Sequence, residues 1–122
     1  MERNTRQRDA IRGAFEEADR PLSVQEAHAL ATRSVRGLGI ATVYRSIKSF
    51  LEEDMLEVVE LPGEPPRYEL TGKDHHHHFR CRRCDRVFDI AGCSGSLQSK
   101  LPKGFRVETH EVILYGRCAA CA

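Results

Sequence analysis

Four of the five cysteines fall in two pairs, Cys81-Arg-Arg-Cys84 and Cys118-Ala-Ala-Cys121, with 33 residues between the pairs. A closed structural zinc site takes four thiolates in a tetrahedron, and two residues between cysteines let each pair supply two of them. Redox chemistry is the alternative, but a thioredoxin-like CxxC follows a strand in a βαβ pattern, which this sequence lacks. The spacing therefore predicts a structural zinc ion on Cys81, Cys84, Cys118 and Cys121.

Four consecutive histidines, His75-His-His-His78, precede the first cysteine pair. In an extended segment side chains alternate between faces, so His75 and His77 would point one way and His76 and His78 the other. One strand would then serve two separate metal sites. Neutral imidazole suits zinc, iron, nickel and copper, so the histidines do not identify the metal. An expression tag and a surface histidine patch are the alternatives, although tags are terminal and this run is internal.

Four further side chains are candidate ligands, and each also has an ordinary structural interpretation: Glu69, Asp89, Cys93 and His110. The two carboxylates equally suit solvated strand residues, and a lone cysteine is often a small buried hydrophobe. Polar and apolar residues alternate unevenly around His110, so the sequence does not assign its side chain to one face of the predicted strand. His28 is interpreted as a residue on a helix surface.

The N-terminal elements that precede these residues form a winged helix-turn-helix pattern. Apolar spacing predicts helices over 5–18, 23–33 and 41–53, and Ser23 with Glu26 predicts a capping box for the second of them. Strands over 56–61 and 67–70 flank a turn rich in proline and glycine. Three helices followed by a hairpin are typical of a winged helix.

The remaining chain predicts a hinge at 71–74 and a second, smaller domain over 75–122, so that the fold class is α+β. Strands are expected over 75–80, 87–90 and 105–115, with a short helix over 94–101. Each half is too small for a large core, and chains of this size usually depend on a structural metal or a partner subunit.

The third predicted helix has an outward face suited to DNA. Its buried stripe leaves donors on the outside, and such groups reach base edges and phosphates from a recognition helix. These residues are Thr42, Tyr44, Arg45 and Lys48. A solvated helix face is the alternative. Arginines crowd the first twelve positions, although the formal net charge of +1 argues neither for nor against nucleic acid.

Several classes of protein are disfavoured. No apolar run approaches the roughly 18 residues of a membrane span, and the N-terminus lacks the apolar region of a secretory signal. We therefore expect a soluble, cytoplasmic protein with no membrane partner. There is no HExxH and no nucleophile constellation, so we expect no catalytic residues and no small organic substrate. A metalloenzyme or a metal-storage module remains an alternative of another class.

Four segments in order resemble the ferric uptake regulator family, from Thr5 to Cys121. They are Gly39-Ile-Ala-Thr-Val-Tyr-Arg45, Tyr68-Glu-Leu70 with His75-His-His-His-Phe79, Cys81-Arg-Arg-Cys84, and Gly104-Phe-Arg-Val-Glu-Thr-His110 with Leu114-Tyr-Gly-Arg-Cys118. The resemblance implies a homodimeric repressor that binds double-stranded operator DNA when its regulatory metal is bound. Residues 1–70 would be its DNA-binding domain and residues 75–122 its metal-binding dimerisation domain.

The resemblance also assigns roles to individual residues. The structural zinc ligands match Cys81, Cys84, Cys118 and Cys121. The metal-sensing site matches Glu69, His76, His78 and Asp89. A further site matches His75, His77 and His110, with Cys93 where the family often has a carboxylate. The DNA contacts match Arg8 on the first helix and Thr42, Tyr44 and Arg45 on the third.

Two departures from the family pattern bear on the regulatory metal. Pro21 stands about where the family commonly supplies a sensing-site histidine, and no hinge cysteine precedes Cys81, unlike many zinc-sensing relatives. Cys93 in place of a carboxylate gives a softer ligand set, which prefers tetrahedral zinc to octahedral ferrous iron. The sequence thus favours a zinc-responsive repressor of the zinc uptake regulator branch, with an iron-responsive regulator as the alternative.

Overall fold

The computed structural model describes residues 2–92 and 97–122, which divide into two compact units, Met1–Lys73 and Asp74–Ala122. Among the described helices, none is long and apolar enough to cross a bilayer.

The N-terminal unit has three helices followed by a β-hairpin, which confirms the predicted order of a winged helix. The elements are α1 (Glu2–Ala18), α2 (Val24–Ala31), α3 (Ile40–Glu52), β1 (Leu56–Val59) and β2 (Arg67–Leu70). The apolar stripes of the helices meet in one core around Ile11, Phe15 and Phe50, each no more than 1% exposed. Since these residues recur at helical spacing, packing them together leaves the opposite face of α3 outside.

Local hydrogen bonds fix the second helix and the hairpin. The Ser23 side chain accepts from the Glu26 amide and the Glu26 carboxylate accepts from the Ser23 amide, which confirms the predicted capping box. Leu22 and Tyr68 exchange backbone hydrogen bonds of 2.8 and 2.9 Å, so the loop before α2 pairs with β2. Arg67 of β2 also reaches Glu26 at 3.1 Å. The hairpin is thereby held against the helical part of the unit.

The C-terminal unit is built on a three-stranded mixed sheet. Its strands are β3 (His76–Cys81), β4 (Val87–Ala91) and β5 (Ile113–Gly116), in the order β4-β3-β5. Strand β3 is antiparallel to β4, with His78 opposite Asp89, and parallel to β5, with Cys81 opposite Gly116. The α+β class predicted from the sequence is confirmed.

The predicted strand over 105–115 is wrong for most of its length, because only Ile113–Gly116 forms a strand. In the segment before this strand, the backbone hydrogen-bonds to a side chain and not to a neighbouring strand. Gln98 donates to the Phe105 carbonyl at 2.6 Å and accepts from the Val107 amide at 2.8 Å. Of the helix expected over 94–101, the described part holds a single 3₁₀ turn, Gln98–Lys100, while residues 93–96 lie outside the described residues.

Candidate metal centres and nucleic-acid interface

The four paired cysteines converge at one end of the C-terminal sheet. Cys81 ends β3, and Cys118 and Cys121 follow β5; because β3 and β5 are parallel, both cysteine pairs emerge at the same end. The Sγ atoms of the four cysteines all lie within 4.8 Å of one another, and all four cysteines are free thiols. A tetrahedron with Zn–S bonds of about 2.3 Å has edges of about 3.8 Å. The Sγ atoms of Cys84 and Cys118 are 3.8 Å apart.

Backbone amides stabilise negative charge in this cluster, which favours the binding of a cation. The Cys84 and Cys118 amides donate to the buried Cys81 sulfur at 3.5 and 3.4 Å, and these hydrogen bonds lower the pKa of Cys81 to about 6. The hydrogen bond with the Cys118 sulfur, together with burial, raises the pKa of Cys121 to about 12. The thiolate form of Cys81 is thus favoured, whereas the thiolate form of Cys121 is disfavoured among the crowded sulfurs. A divalent ion bound to the four sulfurs would remove this penalty. The donor set fits zinc.

The histidine run divides between the two faces of β3, as its alternation predicts. On one face, His75 and His77 meet His110, with ring centroids 4.7 to 5.0 Å apart. The Nε2 atoms of His75 and His110 are 3.2 Å apart. Burial, and then the neighbouring imidazoles, lower the pKa of His77, so this ring is neutral at pH 7, the form that binds metals.

His77 also shows what metal binding at this face would require. Its Nδ1 accepts a long, 3.2 Å hydrogen bond from the Val112 amide, which places the proton of the neutral ring on Nε2. The Nε2 atom is buried and has no hydrogen-bond partner among the described residues. Coordination through Nε2 therefore requires the proton to move to Nδ1, at the loss of the Val112 hydrogen bond. Cys93, predicted for this site, lies outside the described residues.

On the other face of β3, His76 and His78 converge on Asp89. Their Nε2 atoms lie 3.4 and 3.3 Å from one Asp89 carboxylate oxygen. His76 Nδ1 donates to the Asp74 carbonyl at 2.7 Å, which fixes the tautomer with its lone pair on Nε2. An imidazole oriented by a backbone carbonyl is the usual arrangement of a metal-binding histidine. Two nitrogens and a carboxylate within one small volume fit a divalent cation.

Glu69, predicted as a ligand with these three, belongs to the N-terminal unit. It lies on β2 opposite Glu57, and its carboxylate is 3.8 Å from the Lys73 ammonium. Pro21, where the family pattern has a histidine, is buried in the same unit.

The predicted DNA-contacting residues of α3 lie on the outer face of that helix. Tyr44 is 53% exposed, and Arg45 and Lys48 are exposed as well. Thr42 is half-buried and accepts a 3.1 Å hydrogen bond from Arg45. The face thus presents an aromatic hydroxyl and two cations next to a helix N-terminus, which suits contact with a DNA groove.

The side chain of Arg8, also predicted to contact DNA, interacts with other side chains of the N-terminal unit. Its guanidinium donates to Ser49 at 3.0 Å, pairs with the Glu53 carboxylate and lies 4.4 Å from the centre of the Phe50 ring. The hydrogen bonds from Arg8 and Ser49 lower the pKa of Glu53. Sequence reasoning did not find Ser49 and Glu53, because more than forty positions separate them from Arg8 and no local pattern links them.

Glu53→Gln is expected to increase the contribution of Arg8 to DNA binding, because the guanidinium loses its carboxylate partner. The dependence of log affinity on log salt concentration should steepen by about 0.9, the value for one additional phosphate contact. Glu52→Gln is the matched control, since Glu52 is exposed at the same helix end and has no ion pair among the described residues. Equal slopes for the two variants would contradict a gain specific to Arg8.

A winged-helix unit followed by a sheet with two histidine clusters and a four-cysteine cluster defines a metal-binding protein of the winged-helix class. The sequence model of the ferric uptake regulator family matches residues 2–115, and the chain belongs to that family. Members of the family are metal-responsive transcription regulators, not enzymes, and they bind operator DNA as dimers.

The names of individual relatives refer to more than one metal. The ferric uptake regulation protein of Bordetella parapertussis is 34% identical over 112 residues, covering 88% of this chain and 80% of that protein. FurB of M. tuberculosis, a zinc uptake regulator, is 28% identical with a TM-score of 0.54, covering 98% and 95% of the two chains. The ferric uptake regulator of Helicobacter pylori shares the fold, with a TM-score of 0.68 at 21% identity over 94% and 79%. These likenesses do not resolve the branch.

Proposed function

We propose that this regulator is a repressor that binds operator DNA as a homodimer when zinc occupies a sensing site made by Glu69, His76, His78 and Asp89. The observation that supports this most directly is the convergence of His76 and His78 on Asp89, with His76 oriented by the Asp74 carbonyl. The four cysteines would hold a second, structural zinc that is present whether or not DNA is bound.

Glu69 gives the proposed site its regulatory role. It belongs to the N-terminal unit, whereas the other three ligands belong to the C-terminal unit. A metal that takes ligands from both would restrict the hinge at 71–74, in which Gly72 has a φ of +84°. The metal shifts the population toward the DNA-binding arrangement only if it binds that arrangement more tightly. A coupling of about 1–3 kcal/mol corresponds to a roughly 5- to 150-fold change in operator affinity.

Zinc is preferred to ferrous iron in this proposal on the basis of the second histidine cluster. His75, His77 and His110 with Cys93 would form a nitrogen and sulfur ligand set, which is softer than the set with a carboxylate. The M. tuberculosis relative named as a zinc uptake regulator supports the same choice. The name of the Bordetella relative favours iron, so the metal must be tested directly.

Exposed apolar side chains of the C-terminal unit support a homodimer. Phe105 is 62% exposed, and Leu114 and Tyr115 on β5 are 48% and 40% exposed. Among the described strands, β5 pairs only with β3 and leaves its other edge open. Open strand edges and apolar patches favour association with another chain. We propose that a second copy of this chain covers them.

The proposal is tested by operator binding at controlled free metal. Duplexes are first selected from a random-sequence pool by the protein loaded with zinc and, in a separate anaerobic selection, with ferrous iron. Binding of the selected duplexes is then measured at fixed salt while free zinc or free ferrous iron is varied. We expect zinc to tighten binding by roughly 5- to 150-fold and iron to do less. Affinity indifferent to both metals would overturn the sensor; a larger response to iron would overturn the choice of zinc.

A further inference from the structure

Three arginines of the N-terminal unit line one cavity of about 710 Å³, which we call the arginine cavity. Arg6 comes from α1, and Arg33 and Arg36 come from the turn between α2 and α3. The other lining residues are Gln7, Ser34, Val35 and Gly37. Gln7 and Ser34 add neutral hydrogen-bonding side chains, so the described lining contains no carboxylate.

These three arginines differ from others in the same unit. Arg8, Arg12, Arg20 and Arg67 each pair with a glutamate. Arg6, Arg33 and Arg36 have no ion pair with any described residue, and all three are exposed. The formal net charge of the whole chain is only +1, so three unpaired cations in one cavity are a local excess. Like charges brought together raise the electrostatic free energy unless an anion lies between them.

The turn keeps the cavity next to the proposed DNA-reading helix. Gly37 has a φ of +76°, a left-handed conformation that glycine adopts without strain, and α3 begins three residues later at Ile40. In a helix-turn-helix, the N-terminal residues of the recognition helix enter the major groove and the preceding helix crosses the DNA backbone. In that arrangement, the arginines of the turn would lie beside the phosphates that border the groove.

We propose that the arginine cavity binds backbone phosphates of duplex DNA, beside the groove that α3 reads. This inference rests on the proposed function. Guanidinium groups match phosphate oxygens in geometry and charge, and three from two elements of the fold suit a polyanion that presents successive phosphates. Such contacts position the protein on the duplex and do not distinguish sequences. Each arginine that neutralises a phosphate releases counterions and therefore contributes to the salt dependence of binding.

The test measures duplex affinity against salt concentration for the full zinc-loaded chain and for Arg6→Gln, Arg33→Gln and Arg36→Gln. Each substitution is expected to make the slope of log affinity against log salt shallower by about 0.9. The loss should be equal for a selected operator and an unrelated duplex, because phosphates are common to both. The corresponding lysine variants should retain the slope, since they retain the charge.

Arg12→Gln is the matched control on the same helix. Arg12 pairs with Glu16 at 3.7 Å and lies six residues from Arg6, about 240° around the helix at 3.6 residues per turn. We expect its slope to equal that of the wild type. Circular dichroism and urea midpoints equal to those of the wild type would show that the glutamine variants are folded, as expected for exposed side chains.

Other outcomes separate this inference from the proposed function. Wild-type operator binding that responds to metal, together with unchanged slopes in all three glutamine variants, would overturn the inference alone. Losses confined to the operator would also overturn it, because they would indicate base contacts. A calorimetric titration with inorganic phosphate completes the test. Tight phosphate binding that Arg36→Gln abolishes, with duplex slopes unchanged, would identify a site for a free anion and overturn the assignment to DNA.

Discussion

Cys81→Ser is expected to release the proposed structural zinc and unfold the C-terminal unit. Among the described residues of that unit, the buried apolar side chains are Cys81 and Val87, which is too small a core to stabilise a fold. Binding of a structural zinc contributes about 10–16 kcal/mol of apparent free energy to small zinc domains at neutral pH. Cys81 is the fully buried member of the cluster and receives two backbone hydrogen bonds, so its loss removes the best-oriented thiolate.

Zinc content after mild chelation and two-dimensional NMR spectra test this prediction. We expect one retained zinc per chain in the wild type and none in Cys81→Ser. The resonances of the C-terminal unit in Cys81→Ser should move to the chemical shifts of an unfolded chain. Helical circular dichroism from the N-terminal unit should persist. Cys93→Ser is the control, because Cys93 belongs to neither CxxC pair and its substitution should leave the zinc in place. A Cys81→Ser protein with zinc and a native spectrum would show that the ion is not structural.

His78→Ala is expected to abolish the response of DNA binding to the regulatory metal while the protein remains folded. The substitution removes one of two imidazoles directed at Asp89, from which its Nε2 is 3.3 Å distant. The affinity for operator at saturating zinc should fall to that of the protein without regulatory metal, roughly 5- to 150-fold lower. The structural zinc should be retained, because His78 and the cysteines belong to separate clusters.

Anisotropy titrations of a labelled operator, with and without added zinc, provide the measurement. His28→Gln is the matched control: His28 lies outside both histidine clusters, and glutamine retains a donor for the Leu38 carbonyl that His28 contacts at 2.6 Å. The control should keep the full metal response. An undiminished response in His78→Ala, with zinc content unchanged, would remove His76, His78 and Asp89 from the sensing mechanism.

The sequence was most informative where function depends on local spacing. Two residues between cysteines and alternation along an extended histidine run are short-range patterns, and the structure brings together the groups that they indicate. The helices were predictable for the same reason, since their buried residues recur every three or four positions. The ends of α1, α2 and α3 differ from the predicted ends by up to three residues.

Features that depend on distant residues were not predictable. The side chain of Gln98 hydrogen-bonds to the Phe105 carbonyl and the Val107 amide, within the segment where a strand was expected. Likewise, Glu53 neutralises Arg8, and Arg6 joins Arg33 and Arg36 at a single cavity. Composition showed a basic N-terminus but not which arginines have carboxylate partners. That distinction arises from how the helices pack.

The parallel pairing of β3 with β5 determines where this protein tolerates changes in length. Parallel neighbours require a long crossover, and the chain between the end of β4 at Ala91 and the start of β5 at Ile113 completes it. The entropy lost on closing such a loop grows only with the logarithm of its length, so doubling it costs about 0.6 kcal/mol. With the proposed zinc joining the two cysteine pairs, an insertion near Lys103 should alter stability little, whereas one added residue between Cys81 and Cys84 would displace a thiolate. Length variation among natural sequences should therefore concentrate in the crossover.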